Sequence, residues 1–425
     1  MIHTLKPGTR VAIDPIGLLY AGTSNKDFPN NYTISVYLNE KIKPEVLQQA
    51  VNDIFKRLPI VNGKLVETET DFYHEILEET PVITKDKGLY PYEQYYLEGL
   101  KHSVRVVYGD IHFKVESMHF ITDGRSTAEI AKGILIRYYE LMGIEVEKGY
   151  GIDVRDTPSP EESINAFEKF SDLSEQNEVV EFSAEETLVA YRHEGSKSAA
   201  PHVTTLHFNL TPLKAAAKSY GVTLNTYIQA QLMDVIALER DARKSNKRIY
   251  FGFAADCRPY FGAKTFRNFA TGGGFYLDEV LPFESIIETV NEQTKKLNKE
   301  YFQESINQMQ SMLKSCVGLP IAQQKKMIHE VHESQFKTST GVLSNIGLIK
   351  LPPIITEKVK NMEFSISQDG NPYTYSVITV NNTLTMTITS SFEGFEIENE
   401  IRTRFEEAMA QTRGRFFCLD NNALN

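Results

Sequence analysis

The sequence predicts a mixed α/β protein built as two lobes, and three observations carry that expectation. Segments with an apolar residue at every second position alternate along the chain with segments whose apolar residues recur at three- and four-residue spacing. The 425 residues are enough for about two domains of ordinary size, each with its own core. Between about 152 and 201 the composition shifts to the turn formers Thr157-Pro158-Ser159-Pro160, then to a run of acids, then to Gly195-Ser196-Lys197-Ser198. That stretch reads as a crossover carrying a short helix. The expected organisation is a first lobe over 1–175, a linker over 176–200 and a second lobe over 201–425.

The elements follow in order. An alternating strand is expected from Tyr32 to Leu38, and then a helix from Pro44 to about Leu58 that gathers Val46, Leu47, Ala50, Val51, Ile54 and Phe55 on one face. Strands are expected at Phe72–Ile76, Val104–Tyr108 and Ile111–Met118. The last runs into His119-Phe120-Ile121-Thr122-Asp123-Gly124, where Gly124 supplies freedom for a sharp bend. Ser126-Thr127-Ala128-Glu129 reads as a capping box opening a helix with Ala131, Ile134, Leu135, Tyr138 and Leu141 as its apolar positions. The second lobe opens with a strand from Thr204 to Asn209 and a short helix from Leu213 to Tyr220. Gly221-Val222-Thr223 then caps a longer helix. A strand from Arg248 to Ala254 and helices within 284–334 come next. Strands at Thr340–Ile346, Met362–Ser367, Thr374–Val380 and Thr383–Thr389 precede a last helix from about Glu396 to Ala410.

Composition excludes several functional classes. A net charge of −11 without a basic block argues against nucleic acid, because phosphate binding needs clustered Lys and Arg. No run of about 20 apolar residues is present and the N-terminus lacks an apolar signal core, so a cytoplasmic protein without a membrane span is expected. The cysteines Cys257, Cys316 and Cys418 are odd in number and far apart, which suggests neither a disulfide framework nor a zinc knuckle.

The candidate chemistry centres on His119 and Asp123. A histidine where a strand runs out, with a carboxylate four residues on and a helix beyond, projects a base from a rigid support. Alone, this pattern equally describes a hydrogen-bonded structural histidine. Further segments weigh in favour of function: Ala255-Asp256-Cys257-Arg258-Pro259-Tyr260, then Arg267-Asn268-Phe269-Ala270-Thr271-Gly272-Gly273, then Ser344-Asn345-Ile346-Gly347. With His119-x-x-x-Asp123-Gly124, this order resembles the CoA-dependent acyltransferase superfamily. That group includes alcohol acetyltransferases, polyketide-associated acyltransferases, plant enzymes of the HxxxD type and the condensation domains of nonribosomal peptide synthetases. The resemblance extends over nearly the whole chain. Its early part includes Asp14-Pro15 and Arg57-Leu58-Pro59-Ile60-Val61-Asn62-Gly63, similar to the opening strand and first helix end of the alcohol acetyltransferases, and its middle Gly221-Val222-Thr223-Leu224-Asn225.

The resemblance implies two chloramphenicol-acetyltransferase-like α/β lobes forming a pseudo-dimer with a tunnel between them. By it, His119 is the general base of a direct acyl transfer without an acyl-enzyme. Asp123 is structural, turned from the tunnel to pair with Arg258, and a bidentate pair of that kind fixes a loop between lobes. Asn268 and Asn345 match polar positions beside the tunnel, where each either binds substrate by orienting its carbonyl or satisfies bridging backbone. Gly124 completes the motif. The implied function moves an acyl group from an acyl thioester, with coenzyme A as part of the substrate rather than a cofactor, to the hydroxyl of a small acceptor. No metal is implied, and a monomer is expected. Two alternatives stand beside this: a condensation or polyketide-associated enzyme fed by an acyl carrier protein, and a catalytically silent binding or scaffold protein of the same fold.

Departures narrow the branch. Condensation domains commonly carry a second histidine before the motif histidine, where this chain has Met118. The DFGWG segment of plant enzymes is absent, as is any tryptophan. Both favour a stand-alone acyltransferase similar to alcohol acetyltransferases. Other motifs take ordinary readings. Cys257 is expected to be a packing residue, and His329-Glu330-Val331-His332 a solvated helix face. Gly272-Gly273-Gly274 reads as a strand bend or a close backbone approach, and Tyr90–Tyr96 as a surface-packing loop.

Overall fold

Period-two patterning becomes strand, and three-to-four spacing becomes helix, at nearly every expected place. The computed structural model describes residues 5–25, 29–88, 101–173, 190–367 and 370–421; Tyr90–Tyr96 and residues 176–189 of the expected linker lie outside them. The first half supplies strands Arg10–Ala12 (β1), Asn31–Leu38 (β2), Gly63–Glu67 (β3), Phe72–Ile76 (β4), Thr84–Lys85 (β5), Val104–Tyr108 (β6) and His112–Met118 (β7). Its main helices are Pro15–Thr23 (α1), Pro44–Arg57 (α2) and Gly124–Leu141 (α3). Leu47, Ala50, Val51, Ile54 and Phe55 form the apolar stripe of α2 and are fully buried, because α2 packs on α3 and α3 packs on β2 and β7.

The second half supplies Lys197–Asn209 (β8), Ile249–Asp256 (β9), Ala270–Leu277 (β10), Gly341–Ile349 (β11), Val359–Ile366 (β12), Tyr373–Val380 (β13) and Thr383–Phe392 (β14). Leu224–Ala242 (α4), Lys299–Cys316 (α5) and Ile321–Lys337 (α6) are its long internal helices, and Glu396–Asn421 closes the chain. Strand β8 begins at Lys197, inside the stretch expected as linker, because residues 197–209 pair along β14. Thr223 caps α4 through its side chain, and Gly221 takes a positive φ of 70°, which explains the glycine there.

Among the described residues the strands form three sheets: β1-β4-β3, β12-β2-β7-β6-β5 and β10-β9-β11-β13-β14-β8. The expected second-half strand near Met362 forms, but in the first half's sheet. β12 runs antiparallel to β2, with Phe364 opposite Ile34, and Met362 and Phe364 enter the core of the first half. Its outward carbonyls are met from the other sheet: Thr389 Oγ1 donates to Ile366 O at 2.7 Å, and Thr387 Oγ1 donates to Phe364 O. The exchanged strand therefore joins the two sheets by hydrogen bonds. Helices α5 and α6 reach back the same way and pack on α1.

This exchange makes a checkable demand. Met362 is fully buried, so Met362→Ala should lower unfolding free energy by about 2–5 kcal/mol through cavity formation, read as a fall in the denaturant midpoint. An unchanged midpoint would mean that β12 does not belong to the first-half core.

Candidate active site

His119 follows the last residue of β7, and its backbone N–H donates to Asn30 O at 3.0 Å, holding the strand end in place. Helix α3 begins five residues later. Its N-cap is Asp123 rather than the expected Ser126: the Asp123 carboxylate accepts from the Ser126 N–H at 3.0 Å, and a charged oxygen at the helix start also suits the dipole. Ser126 turns its own hydroxyl to Arg258 instead. Gly124 does not serve through unusual backbone freedom, since it is not among the positive-φ glycines. It serves through space, because a Cβ there would lie 2.9 Å from the Phe364 ring of β12.

Asp123 is 3% exposed, and its second oxygen accepts from Arg258 Nη2 at 2.8 Å and from the Phe269 N–H at 2.9 Å. Burial pushes its pKa up, but the guanidinium and the two backbone N–H groups outweigh burial and hold the carboxyl below the ordinary carboxylate value. The expected Asp123–Arg258 pair is therefore present in the geometry, although it is not bidentate. Arg258 spreads its nitrogens: Nη1 donates to Asp256 Oδ1 at 2.8 Å, Nε to Thr265 O at 2.8 Å, and Nη2 also to Ser126 Oγ and Arg267 O. One guanidinium thus ties the start of α3 to the loop between β9 and β10.

That loop carries Asn268 to the histidine. Asn268 is fully buried, and its Nδ2 donates to Asp14 Oδ1 at 3.1 Å and to His119 O at 3.0 Å. Both partners are acceptors, so Oδ1 of the amide must face His119 Nδ1, 3.2 Å away. This network assigns the ring proton to Nδ1 and leaves the lone pair on Nε2. Burial lowers the His119 pKa below its ordinary value of 6.5, against the raising effect of Asp123, so the ring is neutral at neutral pH. Tyr20 stacks on it at 4.1 Å between ring centres and 14° between planes, while Tyr32 meets it edge-on at 5.1 Å.

His119 opens into a cleft of about 350 Å³ lined from both halves of the chain, by Tyr20, Tyr32 and Gly124 on one side and Ala254, Ser344 and Asn345 on the other. That volume lies within the range of about 300–1,000 Å³ typical of small-molecule sites. Of the two asparagines expected to bind substrate, only Asn345 lines the cleft. Its Nδ2 donates to Asn225 Oδ1 on α4 at 2.9 Å, and its Oδ1 accepts from Gly347 N at 2.9 Å across a bulge in β11. Asn268 cannot face a substrate, because its polar atoms are spent on His119 and Asp14. Sequence reasoning assigned no role to Asp14, Tyr20, Tyr32 or Arg267. Asp14-Pro15, expected with an opening strand, starts helix α1 instead, because Asp14 caps it and Pro15 fits its first turn, and nothing in the dipeptide points to the histidine.

The remaining motifs fall outside the site. Cys257 is buried with its thiol pushed up to about 11 by desolvation, so it is held as a protonated packing residue. The Gly272–Gly274 run lies in β10, where Cβ atoms on Gly273 and Gly274 would strike the aromatic rings of Phe253 and Tyr250. Among the described residues no cluster of metal-ligating side chains occurs, and no helix is long and apolar enough to cross a membrane.

Two α/β halves joined by an exchanged strand, with a cleft between them, make up a pseudo-dimeric fold that solved structures share over nearly the whole chain. Solved structures establish that likeness. Polyketide synthase associated protein 5 from Mycobacterium tuberculosis superposes with a TM-score of 0.61 at 12% identity, covering 94% of this chain and 98% of that one. The trichothecene 15-O-acetyltransferase TRI3 of Fusarium sporotrichioides gives 0.63 at 10% identity, covering 94% of each chain. The first condensation domain of the calcium-dependent antibiotic synthetase gives 0.61 at 12%, covering 95% and 96%. No family model and no curated protein sequence matches the chain.

Arg258→Ala leaves the buried Asp123 carboxylate without its cation, and should cost about 3–5 kcal/mol of stability, seen as a large fall in melting temperature. Native melting in that variant would contradict the tie between the halves.

Proposed function

We propose that the protein transfers an acyl group from an acyl thioester to the hydroxyl of a small acceptor, with His119 as general base. One observation carries this reading: a neutral histidine, its Nδ1 tied and its Nε2 lone pair free of the ring proton, opens into a ligand-sized cleft lined from both halves. His119 Nε2 takes the acceptor's hydroxyl proton as its oxygen attacks the thioester carbonyl. The tetrahedral oxyanion then collapses, the C–S bond breaks, and the imidazolium returns the proton to the departing thiolate. Ser344, and the second N–H of the Asn345 amide, are uncharged donors on the second-half wall of the cleft and the proposed stabilisers of the oxyanion. Asp123 has no step in this chemistry, since its oxygens are committed to Arg258, Phe269 and Ser126.

Coenzyme A is the proposed carrier of the acyl group. A carrier-protein thioester is the second reading, because a condensation domain superposes about as well as the acetyltransferase does. Thiol release decides between them. Purified protein should release thiol from acyl-CoA in the presence of an alcohol panel, and release only from a phosphopantetheinyl carrier protein would favour the second reading. His119→Ala should lower kcat by roughly 100-fold or more with the circular dichroism spectrum unchanged. Unchanged turnover in that folded variant would remove His119 as the base.

The pH profile follows from the direction of the shift. Turnover requires neutral His119, and burial lowers its pKa, so kcat/KM should fall only as pH drops through a midpoint below 6.5 and should be flat at neutral pH. A midpoint above 6.5 would contradict a desolvated base.

A further inference from the structure

Asp14 is a buried carboxyl group with a partner beyond the helix it caps. It caps α1, with Oδ1 accepting from Gly17 N at 2.8 Å, yet asparagine and serine cap helices as well as aspartate does. Asp14 is fully buried, which makes a carboxylate there costly. Arg267 stands 3.6 Å from its other oxygen and comes from the same loop as Asn268. The second hydrogen bond to Oδ1 comes from Asn268 Nδ2, and the far end of that amide holds the His119 ring.

We infer that Asp14 is a positioning residue for the base: it fixes which way the Asn268 amide points, and so fixes the proton of His119 on Nδ1. An asparagine amide presents an acceptor at one end and donors at the other. Turned around, it would offer N–H to Nδ1 and favour the tautomer protonated on Nε2, which cannot accept the acceptor's proton. Two acceptors hold the donor end away from the ring: Asp14 Oδ1 and His119's own carbonyl. The carbonyl belongs to the residue being oriented, so Asp14 is the independent constraint. The chain runs from the first half through the second and back, so the tautomer is set only where both halves meet. The inference rests on the reading of His119 as the base, and extends it to how the base is prepared.

The test reads the ring directly. The full-length protein is labelled with ¹⁵N-histidine, His119 is assigned from the spectrum of His119→Gln, and its tautomer is read from ring nitrogen shifts at a pH where it is neutral. The expected wild-type state is Nδ1-protonated. Asp14→Ser keeps a helix cap but is too short to hold Asn268, so it should give a mixture of tautomers and lower kcat by roughly tenfold with KM little changed. Asp14→Asn keeps an acceptor oxygen in place and should retain the wild-type tautomer. Asn268→Leu, which leaves the cap untouched, should shift the tautomer as Asp14→Ser does and carries the same test if that variant fails to fold. A His119 that stays wholly Nδ1-protonated in folded Asp14→Ser or Asn268→Leu protein would overturn the inference. Because the spectrum needs no turnover, that result would leave the acyl-transfer reading standing. Failure to find a thioester substrate would equally leave the tautomer result intact.

Discussion

The Arg258 guanidinium is the interaction on which the site depends. It lies between two carboxylates, Asp123 at the start of the first-half helix and Asp256 at the end of a second-half strand, and it donates to two carbonyls of the 265–267 loop. Taking an ion pair out of water costs several kcal/mol per ion, and only a full set of hydrogen bonds offsets this. Here all three guanidinium nitrogens donate, to five different acceptors, so the junction holds one geometry. It lifts the loop against the histidine strand end, and the Phe269 N–H and the Asn268 amide reach Asp123 and His119 as a result. Moving Arg258 would therefore displace the neighbours of His119 without touching His119 itself.

Backbone exchange adds a second constraint of the same kind. Strand β12 lies on the edge of the first sheet while Thr387 and Thr389 of the second sheet donate to its carbonyls. Phe364 on that strand also sets the room available at Gly124. The cleft wall is thus continuous with both cores. A ligand entering it would meet a surface assembled from segments more than 200 residues apart, with the partly buried His119 ring among them.

Much of this was legible in the sequence, and the losses have physical reasons. Strands with alternating burial, such as Phe72–Ile76, and helices with a sharp apolar stripe, such as Pro44–Arg57, are read from their periods. Strand β10 was not, because Ala270-Thr271-Gly272-Gly273-Gly274 has no alternation to read; aromatic rings fill the space its glycines leave. The residues of β12 were legible but its partner was not, since pairing across sheets depends on contacts that no local pattern records. At the site, His119, Asp123 and Arg258 stand in motifs, and the geometry brings them into one network. Asn268 stood in a motif too, but its role depends on Asp14, whose local signal describes only a helix start. The tyrosines beside the ring, Tyr20 and Tyr32, look from sequence like any core aromatic.

The proposed chemistry is direct transfer by a neutral histidine, without a covalent intermediate. Cys257 is the tempting nucleophile, yet it is buried, protonated and bonded toward Thr271, and it is not among the residues that line the cleft. The most direct measurement is the intact mass of the protein quenched during turnover with an acyl-CoA and an alcohol. The account predicts that the alcohol gains the acyl group while the protein's mass stays that of the free chain throughout. A protein population carrying the acyl mass, formed and consumed at the rate of turnover, would contradict it.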